Sequence, residues 1–308
     1  MWAALIAGGL LVLLLVLGAR LLAHRLLLRG LRPARLPHEQ RPSDFGIPLR
    51  SVQSVTVPGP GGAALFAWFI APTHPPSGLA SAVLVMHGWG SNASLMLPAV
   101  SVLRDAGLSV LVMDARCHGL SDGADFTSMP RFAEDMEAGL NWLAAHPNIN
   151  PSAMAVMGHS VGAAAALLCA RRRADVCAVV SLSAFAHPAD MMRRWLRARR
   201  VPQRVLGEWI LAHVQHVIGA RFDDIAPTTS IQHLRCPVLL VHGLDDDTVP
   251  FADASRIFAA SARSDAALMA VPGGHDLSTA LTPSQSWQIA CFLKEAVDDP
   301  RTQETPRS

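Results

Sequence analysis

Residues 153–170 read AMAVMGHSVGAAAALLCA. The first five are apolar without interruption, as in a strand covered on both faces. The last ten are small and helix-favouring. Between them stands Gly158-His159-Ser160-Val161-Gly162, so the chain must turn from strand into helix at once. A turn that tight leaves no space for side chains on its flanks, which the two glycines provide. It lifts the Ser160 hydroxyl to the sheet's edge, with a helix N-terminus beneath it. The Val161 N–H is then free to stabilise an oxyanion. Gly-x-Ser-x-Gly between a strand and a helix has the form of a nucleophile elbow. Without that setting the five residues would be a glycine turn with an incidental serine.

Working outward, short apolar runs alternate with amphipathic ones. Strands are expected at 52–57, 64–70, 82–87, 109–114, 153–158, 178–183, 238–242 and 267–271. The first two are joined by Pro58-Gly59-Pro60-Gly61-Gly62, a link suited to a hairpin. The clearest helix covers 130–146, where Phe132, Met136, Leu140 and Leu143 form one stripe. This alternation implies an α/β fold, with a mostly parallel eight-stranded sheet flanked by helices and ligands at the strands' carboxyl ends. One stretch breaks it. Residues 190–200 and 204–219 both read as helical, in a connection longer than a crossover needs. We expect a helical cap insertion at about 186–233.

The 308 residues are 51% hydrophobic and 16% charged, with a mean hydropathy of +0.29. This excludes a disordered polyelectrolyte and directs attention to a membrane segment. A net charge of +2 is too balanced for a nucleic-acid binder, which carries a strongly basic face. Residues 2–19 carry no charge and would span about 27 Å as a helix, close to the ~30 Å hydrocarbon core. A cleaved signal peptide would need a basic segment first and a small residue near position 17. Neither is present, since no Lys or Arg precedes the run and position 17 is Leu17. The expected organisation is a transmembrane anchor at 1–22, a basic, proline-containing tether at 23–49, a folded domain at 50–298 and a disordered tail at 299–308. Arg20, Arg25, Arg29, Arg32 and Arg35 all follow the apolar run, so the domain is expected to be cytoplasmic on a single-pass anchor. The five cysteines are scattered without a CxxC pair, which reads as reduced thiols with neither disulfide framework nor metal site. Tyr is absent and can serve neither as acid nor as base.

With its elbow in this setting, the chain resembles the α/β-hydrolases over about residues 50–298. Several further motifs carry the likeness. His87-Gly88-Trp89-Gly90 follows a strand and resembles the HGxG oxyanion loop of esterases, which implies the Trp89 N–H as a second oxyanion donor beside that of Val161. Asp114-Ala115-Arg116-Cys117-His118-Gly119-Leu120-Ser121 resembles the D-x-R-x-H-G-x-S segment, with structural roles for Asp114, Arg116 and His118. A serine needs a base to take its proton, and the base needs an acid to hold its tautomer. His275, in Pro272-Gly273-Gly274-His275-Asp276, resembles the family's catalytic histidine. The G-x-x-D-x-x-V-P pattern in residues 243–250 sets the acid at Asp246, with Asp245 and Asp247 one register step away. The order Ser160, Asp246, His275 is that of the family. The resemblance implies a serine hydrolase that cleaves carboxylic esters through an acyl-enzyme and needs no cofactor or metal.

The substrate signal lies in the cap. Met191, Trp195 and Trp209 are read as substrate-binding residues on its apolar side, covering an acyl chain. Arg193, Arg194, Arg197, Arg199, Arg200 and Arg204 form a basic side, read either as a solvated face or as a contact with anionic lipid near the anchor. Anchor and cap together favour a small-molecule, lipophilic ester, such as a monoacylglycerol or lysophospholipid. The alternatives are a peptidase, thioesterase or acyltransferase with the same three residues, and a non-catalytic membrane scaffold. An intact Ser, Asp and His set argues against the scaffold. Nothing in the sequence indicates a protein partner.

Overall fold

The computed structural model describes residues 1–277 and 280–299. Its centre is an eight-stranded sheet: β1 (Val52–Pro58), β2 (Ala64–Ile70), β3 (Ala80–Met86), β4 (Ser109–Met113), β5 (Ile149–His159), β6 (Val176–Leu182), β7 (Val238–Gly243) and β8 (Ala266–Val271). The order across the sheet is β1-β2-β4-β3-β5-β6-β7-β8. β1 and β2 form the antiparallel hairpin, β2 is antiparallel to β4, and all later pairs are parallel. All eight expected strands form. The largest boundary difference is at β5, which begins at Ile149 rather than 153.

The helices are α1 (Trp2–Gly30), α2 (Leu97–Asp105), α3 (Met129–Ala144), α4 (Val161–Arg172), α5 (Pro188–Ala198), α6 (Glu208–Ile218), the single turns α7 (Phe222–Ile225) and α8 (Pro227–Ser230), α9 (Phe251–Ala260) and α10 (Pro283–Asp298). Strand side chains alternate between two cores, as the pleat requires. In β3, Leu84 and Met86 face a core shared with α3, α4 and α9. Val83 and Val85 face the other, shared with α2 and α10. Burial on both faces explains why these strands read as continuous apolar runs. The four cysteines Cys117, Cys169, Cys177 and Cys236 are buried and none of the five forms a disulfide. Burial pushes the Cys236 thiol up to about 12, so it is inert at neutral pH.

Two segments differ from the sequence-based expectation. α1 does not stop at residue 22 but continues to Gly30. Every described side chain through Leu22 is exposed, and contact with the body begins at Ala23. Leu5–Gly30 is long and apolar enough to cross a membrane, with a mean hydropathy of 2.5. The tether expected at 23–49 is therefore helical in its first part. Its remainder lies against the domain: the Thr127 N–H donates to Leu31 O at 2.9 Å, and the Asn92 amide donates to both Leu36 O and Pro37 O at 3.0 Å. The polar backbone of a proline-containing segment is satisfied better on the protein than sequence composition suggests. The tail expected at 299–308 lies, beyond Asp299, outside the described residues.

Candidate active site

β5 delivers Ser160 and α4 leads away from it. Ser160 has φ +54° and ψ −116°, a strained left-handed conformation for a non-glycine residue. Its neighbours show why only glycine fits. A Cβ on Gly158 would lie 2.2 Å from Gly162 O, and one on Gly162 would lie 2.3 Å from His87 O. The elbow is thus wedged between its own helix and the loop after β3.

The structure brings Ser160, His275 and Asp246 together from three separate loops. The Ser160 Oγ donates to His275 Nε2 at 3.0 Å. The His275 Nδ1–H donates to Asp246 Oδ2 at 2.8 Å. Asp245 and Asp247 do not reach this ring; the Asp245 side chain is exposed, and Asp247 Oδ1 accepts from the Thr248 hydroxyl. Asp246 Oδ1 also accepts the Thr248 and Val249 N–H groups at 3.0 and 2.7 Å, and His242 Nε2 lies 3.3 Å from Oδ2. Burial pushes the Asp246 carboxyl up, but the His242 and His275 hydrogen bonds and the Val249 amide outweigh it, holding the group well below the usual carboxylate range. An ionised acid at this position stabilises an imidazolium on His275.

His159 donates from Nε2 to the His275 carbonyl at 2.8 Å. It therefore ties the elbow to the histidine loop. His242 donates to Val249 O at 2.7 Å and shapes the aspartate loop. Neither role was legible in the sequence, because each depends on a residue at a different strand end.

The loop after β3 lies against Ser160: a Cβ on Gly88 would lie 3.1 Å from Ser160 Cβ. The Val161 N–H is the first of α4 and has no intrahelical acceptor. Among the described residues no acceptor meets the Trp89 N–H. The next amide, Gly90 N–H, donates to His118 Nε2 at 3.1 Å. His118 Nδ1–H donates to Arg116 O at 2.9 Å, which fixes its neutral tautomer. Burial lowers the His118 pKa, so Nε2 stays an acceptor. Beneath it, His87 donates from Nδ1 to Gly88 O and accepts the Ala115 N–H at Nε2. Burial first, then the facing His118, pulls His87 down to about 3. Arg116 pairs with Asp135 and Glu134, both at 2.6 Å.

A cavity of about 230 Å³ opens beside Ser160. Its apolar wall comes from the loop before α2, through Leu95 and Met96, from α2, through Ala99 and Leu103, from Leu277 and Leu281, and from Ile289 of α10. Met191, Trp195 and Trp209 do not line it. The insertion is helical as read, but its buried residues Leu196, Leu211 and Val214 join the core on the α3–α4–α9 side, away from the α2–α10 side where the cavity lies. Its ion pairs confirm the placement: Arg194 binds Asp253 of α9 at 2.6 Å and Arg256 binds Asp190 at 2.9 Å. No group of three or more His, Cys, Asp or Glu able to hold a metal occurs among the described residues.

The sheet order, the elbow and the placement of Ser160, Asp246 and His275 at its carboxyl edge are those of the α/β-hydrolase fold. A family model described as serine aminopeptidase, S33, matches residues 79–221. The chain is similar to the uncharacterized protein Rv2307c of Mycobacterium tuberculosis, 29% identical with 73% of this chain and 72% of that one covered. It is 25% identical to YfhR of Escherichia coli, with 74% of each covered. Among solved structures it is similar to the esterase Pf2001 of Pyrococcus furiosus, with a TM-score of 0.69 and 22% identity over 87% of this chain and 98% of that one. A ferulic-acid complex of Est1E from Butyrivibrio proteoclasticus gives a TM-score of 0.58 at 18% identity, over 78% and 96%.

Proposed function

We propose that this protein is a membrane-anchored serine hydrolase that cleaves carboxylic esters through an acyl-enzyme. The observation that carries the reading is the continuous hydrogen-bonded chain from Ser160 Oγ through His275 to Asp246 Oδ2, beside an apolar cavity. His275 Nε2 takes the Ser160 proton as Oγ attacks the acyl carbonyl. The Asp246 carboxylate holds the Nδ1–H and stabilises the imidazolium. The Trp89 and Val161 N–H groups donate to the developing oxyanion. His275 then protonates the departing alcohol. Water repeats the sequence on the acyl-enzyme, releasing the acid and restoring Ser160. The esterase neighbours named above support an ester as substrate.

The cavity bears on substrate size. At about 230 Å³ it is below the ~300–1,000 Å³ common for drug-sized ligands. Its apolar wall suits a short or medium acyl chain rather than two long ones. A lipophilic ester fits the anchor. On this reading α1 crosses the bilayer and its end rests on the insertion, where His24 Nδ1 meets His213 Nε2 at 3.1 Å. The exposed Trp195, Val205, Leu206 and Trp209, with Arg197, Arg200 and Arg204 beside them, then lie near headgroup depth, on the cytoplasmic side that the flanking arginines favour. Of the six arginines read as a basic side, Arg194 is committed to Asp253 and Arg193 to Glu208 and Asp190.

The aminopeptidase name of the matching family model keeps amide hydrolysis as the second reading. The test is direct. The full chain in detergent is treated with a fluorophosphonate probe and assayed on p-nitrophenyl esters and aminoacyl amides of graded length, beside Ser160→Ala. Labelling and ester turnover that vanish in Ser160→Ala are expected. Amide turnover exceeding ester turnover would favour the second reading, and labelling that survives Ser160→Ala would remove both.

A further inference from the structure

Residues 31–38 connect α1 to the domain, and their contacts converge on the loop that follows β3. The Arg32 guanidinium donates to Asp125 O at 2.7 Å. Pro33 Cβ lies 4.0 Å from where a Cβ on Gly90 would stand. The Asn92 amide is held by two carbonyls of this strap, while its Oδ1 accepts the Ser94 N–H at 3.0 Å and the Ser94 hydroxyl at 2.7 Å. His38 closes the clamp. Its ring packs on Phe66 and Trp68, its side chain is only 10% exposed, and Nε2 donates to Asp114 Oδ2 at 2.9 Å. Asp114 is fully buried. Its other donors are the Ala93 and Leu120 N–H groups, at 2.7 and 2.8 Å.

Residues 88–96 are therefore gripped from two sides. They carry the Trp89 amide, the Gly90 amide bound to His118, and the cavity residues Leu95 and Met96. We propose that the juxtamembrane strap 31–38, through His38 and the Asn92–strap hydrogen bonds, positions the oxyanion loop and the adjoining cavity wall. The strap acts through that loop and does not touch the substrate. A flexible linker would leave these donors to water, and a buried carboxylate that loses its one side-chain donor draws its remaining amide partners out of place. A shift of about 1 Å in a positioned group can cost about 10² in rate, and losing an oxyanion donor about 10²–10³.

The inference rests on the oxyanion role given to Trp89 above, so the test has two readouts. The full chain in detergent is compared with His38→Ala and His38→Gln for kcat and KM on a p-nitrophenyl ester. Amide hydrogen exchange is followed in peptides covering 88–96 and, as reference, β5 and β6. In His38→Ala, kcat is expected to fall about tenfold or more with KM within about twofold, and exchange to quicken in 88–96 alone. His38→Gln, whose Nε2 can donate from nearly the same place, is expected to restore most of both. Unchanged exchange and kcat in His38→Ala would overturn the proposal. So would quickened exchange spread evenly over the sheet, which would make His38 a general stability residue. If Ser160→Ala leaves the wild-type ester turnover intact, the ester-hydrolase reading fails, and exchange in 88–96 still decides the strap.

Discussion

Histidines in this site divide by what surrounds them. His87, His118 and His159 are each held neutral by burial, and His87 and His118 also accept a backbone N–H on the unprotonated ring nitrogen. His87 is the extreme case, at about 3 against 6.5 for the free side chain. The unfolded chain therefore takes up a proton below about pH 6.5 that the folded chain refuses until about pH 3, so stability falls as pH falls through that window. His87 alone should cost about 2–3 kcal/mol between pH 7 and pH 4.5. His118 and His159 add in the same direction, whereas the depressed Asp246 contributes only below the ordinary carboxylate range. Thermal unfolding across this range checks the slope, and His87→Asn should flatten it. Asp135, pushed up to about 7 by burial, works in the opposite direction over the same range, so the comparison with His87→Asn decides: an unchanged slope in that variant would show that His87 is not held neutral.

The elements that shape the cavity are α2 and α10, which share one face of the sheet, while the insertion covers the other. Substrate length should then respond to α2. Ala99→Phe fills part of the wall and is expected to lower kcat/KM for a hexanoate ester about tenfold or more relative to acetate. Trp195→Ala and Met191→Ala should leave that ratio within about twofold. A ratio that follows the insertion variants instead would mean that α5 moves over the cavity during turnover. The insertion was legible as helix from its periodicity. Which face of the sheet it would cover was not, because both faces of an α/β sheet bury similar apolar side chains and nothing local distinguishes them.

At the scale of the molecule, an apolar helix and a hydrolase domain meet through the strap and the α1–α6 contact. The membrane reading predicts that the full chain stays with membranes through a carbonate wash and that removal of residues 1–22 abolishes this retention. It also predicts that the 1–22 deletion binds anionic vesicles weakly, and that Arg197→Glu, Arg200→Glu and Arg204→Glu together remove this residual binding, each exposed arginine near the surface contributing about 1 kcal/mol. A full chain found in the soluble fraction, with its N-terminus trimmed, would instead identify a cleaved signal segment.

What the sequence determined by itself is what depends on neighbours along the chain. Eight apolar runs of strand length and the wedge-tight glycines on either side of Ser160 are local patterns. Backbone sterics and side-chain periodicity read them out without reference to the rest of the molecule. The tertiary structure alone decided the matters that depend on which surfaces meet. It brought Asp246, the aspartate that the resemblance singles out, within hydrogen-bond distance of His275 from another loop. It opened the cavity between α2 and α10 instead of beneath Trp195 and Trp209. It also drew a segment that reads as a tether onto the loop after β3, since the hydrogen-bond partners of Leu36, Pro37 and His38 lie more than fifty residues away in sequence, beyond the reach of any local pattern.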